Sequence, residues 1–182
     1  MTAAPRRWAA DLLHFWFVTL GPADWWGGSD AVDAEVRRRF AGDLIALASR
    51  PAREFARDPS AALAAILLFD QVPRNAFRGD RRAFAYDRLA RQITKIFIAR
   101  GWHRGLEQHA RAFPGMPLMH SEAIADQRAS LAYFRSIPGN FAFARAHWRM
   151  VARFGRFPHR NAVLGRRSSG AECAAIAAGN AW

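Results

Sequence analysis

Asp70-Gln71-Val72-Pro73-Arg74-Asn75 puts a carboxylate, two amides and a guanidinium at the end of a segment, Ala61 to Phe69, that is apolar on every side. An acidic group near the C-terminal end of a buried helix opposes the helix dipole and is costly to desolvate without a partner. Arg74 is the local candidate for that partner, so a direct Asp70–Arg74 pair is expected. Two roles fit. The pair can be a salt bridge that fixes the chain's exit from the core. It can also be the floor of a polar pocket, with Asp70 and Gln71 as acceptor and donor and Arg74 aimed at an anion. Taken alone, the segment favours the structural role.

A second group is Arg153-Phe154-Gly155-Arg156-Phe157-Pro158-His159-Arg160-Asn161, preceded by His147. His147 shares a helical stripe with Trp148, Val151 and Phe154, which suits a satisfied core histidine. Arg145, Arg149 and Arg153 recur every four residues and read as a solvated face. His159, Arg160 and Asn161 follow a helix stop, where a rigid scaffold displays binding groups. A histidine beside arginines is biased towards neutrality and can serve as a base near neutral pH.

The third group is Met119-His120-Ser121-Glu122 with Asp126 and Gln127. If one helix runs from His120 to Arg135, Glu122 with Asp126 and His120 with Gln127 each share a face. Paired carboxylates can do acid–base work or hold a cation. Neither an HExxH pattern nor a Cys/His cluster occurs, so no metal or cofactor is assigned. Ser121 beside His120 does not make a nucleophile, because triad partners are recognised by geometry.

The elements that must position these groups are helical. Apolar residues recur at spacings of three and four, and no stretch alternates as a strand. Helix starts and stops are clear at Asp58-Pro59, Asn140 with Gly155, and Ser169 with Glu172. Gly21 and Pro22 should end a first helix from Trp8 to Leu20, with Trp25 and Trp26 opening a loop. Asp30 is expected to cap a second helix, through Ala48. A third should run from Asp58 to Gln71 and end at Pro73, a fourth from Asp80 to Arg100. The segment Ala61 to Phe69 should lie at the centre. Arg74-Asn75-Ala76 and Arg160-Asn161-Ala162 echo one another, each with a glycine four residues after its asparagine. Their offset of 86 residues is unlike the tetratricopeptide period of about 34. They are two similar corners.

The chain has 182 residues, 51% hydrophobic letters, 13% aromatics and a formal charge of +12. That length suits one all-α domain over residues 1–182, able to bury about 70% of its unfolded surface, and the apolar content excludes wholesale disorder. No uncharged apolar run approaches the length that spans a bilayer. Cys173 has no partner for an internal disulfide, and a reducing cytoplasm fits best. All but one of the 27 basic residues are arginine, Lys95 being the exception, and 38 residues are alanine. This joint excess looks like GC-rich coding, so nucleic acid is disfavoured as a partner despite the charge.

The motifs His14-Phe15-Trp16-Phe17, Asp70 to Asn75 with Phe77-Arg78-Gly79, Pro117-Leu118 with His120-Ser121-Glu122, Asp126-Gln127, and Arg153 to Asn161 with Gly165 resemble bacterial domain-of-unknown-function family 924 over nearly the whole chain. The resemblance implies a tetratricopeptide-like antiparallel helical bundle, here of about seven helices, and no assigned activity. It marks Asp70, Gln71, Arg74, Asn75, His120, Glu122, Asp126, Gln127, Arg156, His159, Arg160 and Asn161 as candidate ligand-binding residues. The family pattern usually carries a glutamate where this chain has Met119, so chemistry that needs that carboxylate is absent here. No catalytic residue is assigned.

The leading expectation is a small anionic ligand, bound or transformed in a central polar pocket reached by Arg74, Arg160 and His120 or His159. The rival is a tetratricopeptide-like interaction module that holds a protein or peptide in a groove. Nonspecific nucleic-acid binding would need a continuous arginine stripe and strong salt dependence.

Overall fold

Asp58 and Pro59 start the segment around which the N-terminal part of the protein is built. In the computed structural model, which describes residues 7–179, Asp58 accepts the Ala61 N–H at 2.8 Å and Pro59 takes the first turn, where a missing donor costs little. No strand occurs among the described residues. Contacts gather the chain into two compact units, one running to Pro114 and the other beginning at Gly115. The first holds α1 (Arg7–His14), α2 (Pro22–Gly27), α3 (Asp30–Leu47), α4 (Ala52–Phe55), α5 (Pro59–Ile66), α6 (Val72–Ala76) and α7 (Asp87–Ala99). The second holds α8 (Met116–Met119), α9 (Ile124–Phe134), α10 (Phe141–Phe154) and α11 (Gly170–Ala177).

In the first unit α5 is the core. Every residue from Ala61 to Phe69 is buried, as an all-round apolar helix requires. Helices α1 and α7 pack on it, and α6 lies along α3. Helix α7 turns Ala90, Ile93, Thr94 and Phe97 inward, the three- and four-residue spacing of an amphipathic helix, and Gly101 ends it with φ of +70°.

Pro73 does not end the central helix. A π turn, Leu67–Gln71, follows α5, with the Val72 N–H reaching back to the Leu67 carbonyl, and helical structure continues through α6. Widening the turn leaves carbonyls without their usual N–H partners, and Pro73 supplies no donor. Side chains one turn ahead add donors to two carbonyls at this junction. Arg74 Nη1 donates to the Asp70 carbonyl at 2.7 Å, and Asn75 Nδ2 to the Gln71 carbonyl at 3.0 Å.

Other boundaries also differ from expectation. Trp25 and Trp26 lie in α2, because Pro22 opens a helix whose N-terminus is closed by the Gly21 N–H donating to Asp24 at 2.9 Å. Ser29, one residue before Asp30, accepts the Val32 N–H at the start of α3. The helix expected from His120 to Arg135 begins only at Ile124, as α9, and the non-helical residues 120–123 separate it from α8. Ser121 makes the break: its hydroxyl accepts the Ala123 N–H and donates to Asp126 at 2.8 Å.

In the second unit α9 packs against α8 and α10, and α11 against the 3-10 turn Pro158–Arg160. Ser169 and Glu172 form the expected capping box of α11. Asn140 stands at the start of α10, but its side chain makes no capping bond. Gly115 precedes α8 with no room for a side chain. A Cβ there would fall 2.8 Å from Phe134 Cζ and closer still to two ring carbons of Tyr133. Gly115→Ala is expected to lower stability by about 1–3 kcal/mol, the usual cost of overpacking. Urea unfolding of the variant, with wild-type stability as the contrary outcome, checks this. No described helix is long and apolar enough to cross a membrane.

Candidate functional site

The Asp70 corner in the first unit is a closed ionic cluster. Arg74 Nη1 lies 3.3 Å from Asp70 Oδ1 and 3.0 Å from Asp87 Oδ1, and Gln71 Nε2 donates to Asp70 Oδ2 at 2.6 Å. The expected Asp70–Arg74 pair is therefore present, with the Asp70 side chain only 1% exposed. Burial works against the Arg74 charge, but Asp70 and Asp87 outweigh it and raise the guanidinium's pKa. Arg78, three residues beyond Asn75, clamps Asp33 of α3 through Nε and Nη2.

The Arg160 corner in the second unit is built differently. Phe157 is fully buried, and polar rings gather around it: His147 at 5.5 Å and His159 at 5.6 Å between centroids, with the Arg160 guanidinium over its face at 4.5 Å. His120 lies 6.2 Å from His147. Arg160 is 6% exposed, so the group expected to be displayed on a loop is instead drawn inward. Buried Phe157 and Pro158 anchor the turn that carries it.

His147 is the core histidine expected from its stripe. Its Nδ1 sits 2.8 Å from the Phe143 carbonyl. Burial, followed by the neighbouring His120 and then Arg160 and His159, pushes its pKa down to about 3 against the bond to Phe143.

The other candidates mostly hold this corner in shape. Glu122 accepts the Phe157 N–H at 2.9 Å and both terminal nitrogens of Arg166 at 2.9 and 3.0 Å. Burial would push its carboxyl up, but those bonds and the charges of Arg166 and Arg160 hold it below the ordinary carboxylate range. Arg156 donates to both oxygens of Glu172, which, with the Ser169 N–H, pulls that carboxyl down to about 2. Asn161, fully buried, donates to Ser168 at 3.0 Å.

Glu122 and Asp126 do not form a pair on one helix face, because Glu122 precedes α9 and turns to Arg166 while Asp126 takes the Ser121 hydroxyl. His120 and Gln127 are separated in the same way. Gln127 Nε2 donates to the Met119 and Ser121 carbonyls, both at 2.6 Å, closing the chain break. No group of three His, Cys, Asp or Glu side chains arranged to hold a metal ion occurs among the described residues. The two Arg-Asn corners share one feature beyond sequence: Gly79 and Gly165 are both left-handed, with φ of +78° and +66°. Asp87, Arg166 and Asp33 escaped the sequence reading, since each reaches its partner only through the fold.

Residues 12–180 match the model of a bacterial protein family of unknown function, DUF924. The solved structure of ATU0120, a protein of unknown function from Agrobacterium tumefaciens, is similar with a TM-score of 0.87 and 35% identity, over 92% of this chain and 96% of that one. No curated protein matches. An all-α chain with these motifs in this order, matched over most of its length, belongs to the DUF924 family.

Proposed function

We propose that the protein binds a small anionic molecule, a carboxylate or a phosphate, in a polar pocket centred on Arg160. The observation that carries this reading is a guanidinium, 6% exposed, held over Phe157 among the imidazoles of His120, His147 and His159. Positive charge and N–H donors in a water-poor setting favour an anion more strongly than the same groups do at the surface. Glu122 and Arg166 hold the turn in register, and Arg156 with Glu172 fixes the chain that follows. Cys173 is a free cysteine, which suits a cytoplasmic setting.

The test is calorimetric titration of inorganic phosphate and of acetate into wild type and Arg160→Gln. Loss of charge-assisted hydrogen bonds should weaken binding by at least about tenfold. Arg160→Lys, which keeps the charge and loses the fork, should fall between. Unchanged affinity in folded Arg160→Gln would overturn this reading and favour the tetratricopeptide-like alternative, in which these residues fix helix corners beside a peptide groove.

A further inference from the structure

Helix α3 and the turn after α6 border an open cleft of about 470 Å³, lined by Arg37, Phe77, Arg78, Gly79, Asp80 and Arg82. That volume exceeds a bare inorganic ion and falls in the range of small-molecule sites. The lining charges are unequally engaged. Arg78 is held by both oxygens of Asp33, with Asp30 adding its charge. Arg82 forks onto Asp80 and lies over the Phe77 ring at 4.5 Å, but the pair is exposed, 62% and 39%, and such a pair exchanges partners at little cost. Arg37 is different. Its Nε donates to the Ala76 carbonyl at 2.6 Å, which fixes the guanidinium plane, while its two terminal nitrogens meet no acceptor among the described residues.

The backbone adds donors. The Asp80 N–H closes a turn onto the Phe77 carbonyl at 2.9 Å, with Gly79 at φ of +78°, where a type II turn takes glycine. The N–H groups of Arg78 and Gly79 inside that turn donate to no acceptor among the described residues, and the space beyond Gly79 is open. A fixed fork and unspent backbone amides on one cleft are the components of an oxyanion site.

We infer that this cleft is a second anion site, separate from the Arg160 corner, which takes the carboxylate or phosphate of a small organic molecule between the Arg37 fork and the Arg78-Gly79 turn. Arg82 releases Asp80 to join it. The site rests on its own residues and does not require the Arg160 reading.

The experiment is an NMR titration of the ¹⁵N-labelled full chain with citrate and, separately, inorganic phosphate, in wild type, Arg160→Gln and Arg37→Gln. Saturable shifts of the Arg78 and Gly79 amides are expected in wild type and equally in Arg160→Gln. Arg37→Gln should weaken them by about tenfold. A response to citrate alone assigns a carboxylate, to phosphate alone a phosphate ester, and to both a general oxyanion site. No saturable shift at Arg78 and Gly79 with either anion overturns the inference, and so does an unchanged midpoint in folded Arg37→Gln. Should Arg37→Gln fail to fold, Arg82→Gln replaces it, with weakening expected and an unchanged midpoint counting against the site.

Discussion

Arg74→Ala should lower the unfolding free energy by about 3–5 kcal/mol, the cost of leaving buried charge without its counter-ion. The side chain serves three acceptors at once: the Asp70 carboxylate at 3.3 Å, the Asp70 carbonyl at 2.7 Å and the Asp87 carboxylate at 3.0 Å. Asp70 is 1% exposed and Asp87 14%, so neither carboxylate can recover its hydration when the guanidinium goes. The Asp70 carbonyl loses a short charge-assisted donor as well. Urea unfolding measures the loss. Combining Arg74→Met with Asp70→Asn and Asp87→Asn should recover much of it, since the net worth of a buried ionic cluster is far smaller than the penalty for breaking it. An Arg74→Ala protein of wild-type stability that no longer binds phosphate would instead make Arg74 a ligand group.

This pair shows both how far the sequence could be read and where reading stopped. The four-residue spacing of Asp70 and Arg74 brings them together only if the helix runs through Pro73, yet proline is the ordinary sign of a helix end. The π turn that reconciles the two is a hydrogen-bond shift with no residue signature of its own. Local signals were legible: Asp58-Pro59 and Ser169 with Glu172 act within one turn of themselves and were found where expected. Ser121 was a local signal too, since its hydroxyl reaches Ala123 N and Asp126, but the surrounding helical period concealed the break. Partnerships set by packing were not legible. Glu122 with Arg166 and Asp33 with Arg78 lie 44 and 45 residues apart, and only folding selects those arginines among many. The sorting of candidates follows from the same cause. Asn161 and Gln127 have binding-site chemistry in sequence, but their donors are spent on holding the chain.

Acid should destabilise the protein through His147 by an amount on the order of 5 kcal/mol as the pH falls from 6.5 to about 3. In the unfolded chain this imidazole titrates near its ordinary 6.5; in the fold, burial and the charges of His120, Arg160 and His159 keep it neutral down to about 3. Between those values the unfolded chain binds a proton that the folded one refuses. The stabilisation is therefore complete above 6.5, fades as pH falls, and is gone below the folded value. The neutral ring protonated on Nδ1 donates to the Phe143 carbonyl at 2.8 Å, so His147→Gln, which can still reach that carbonyl, should flatten the profile at modest cost near pH 7. Urea midpoints taken every half unit provide the measurement; the depressed carboxyls of Glu122 and Glu172 enter only below their ordinary 4.5, and His103, which burial and Arg104 also push down from 6.5, is separated by the difference between wild type and His147→Gln. An anion held at Arg160 would lower the local positive potential and raise the His147 pKa. Sulfate, whose charge is constant over this range, should then stabilise the protein more as the pH approaches the folded His147 value than at pH 7. A wild-type slope surviving in His147→Gln would assign the acid sensitivity to other groups and remove this link between the buried imidazole and the anion.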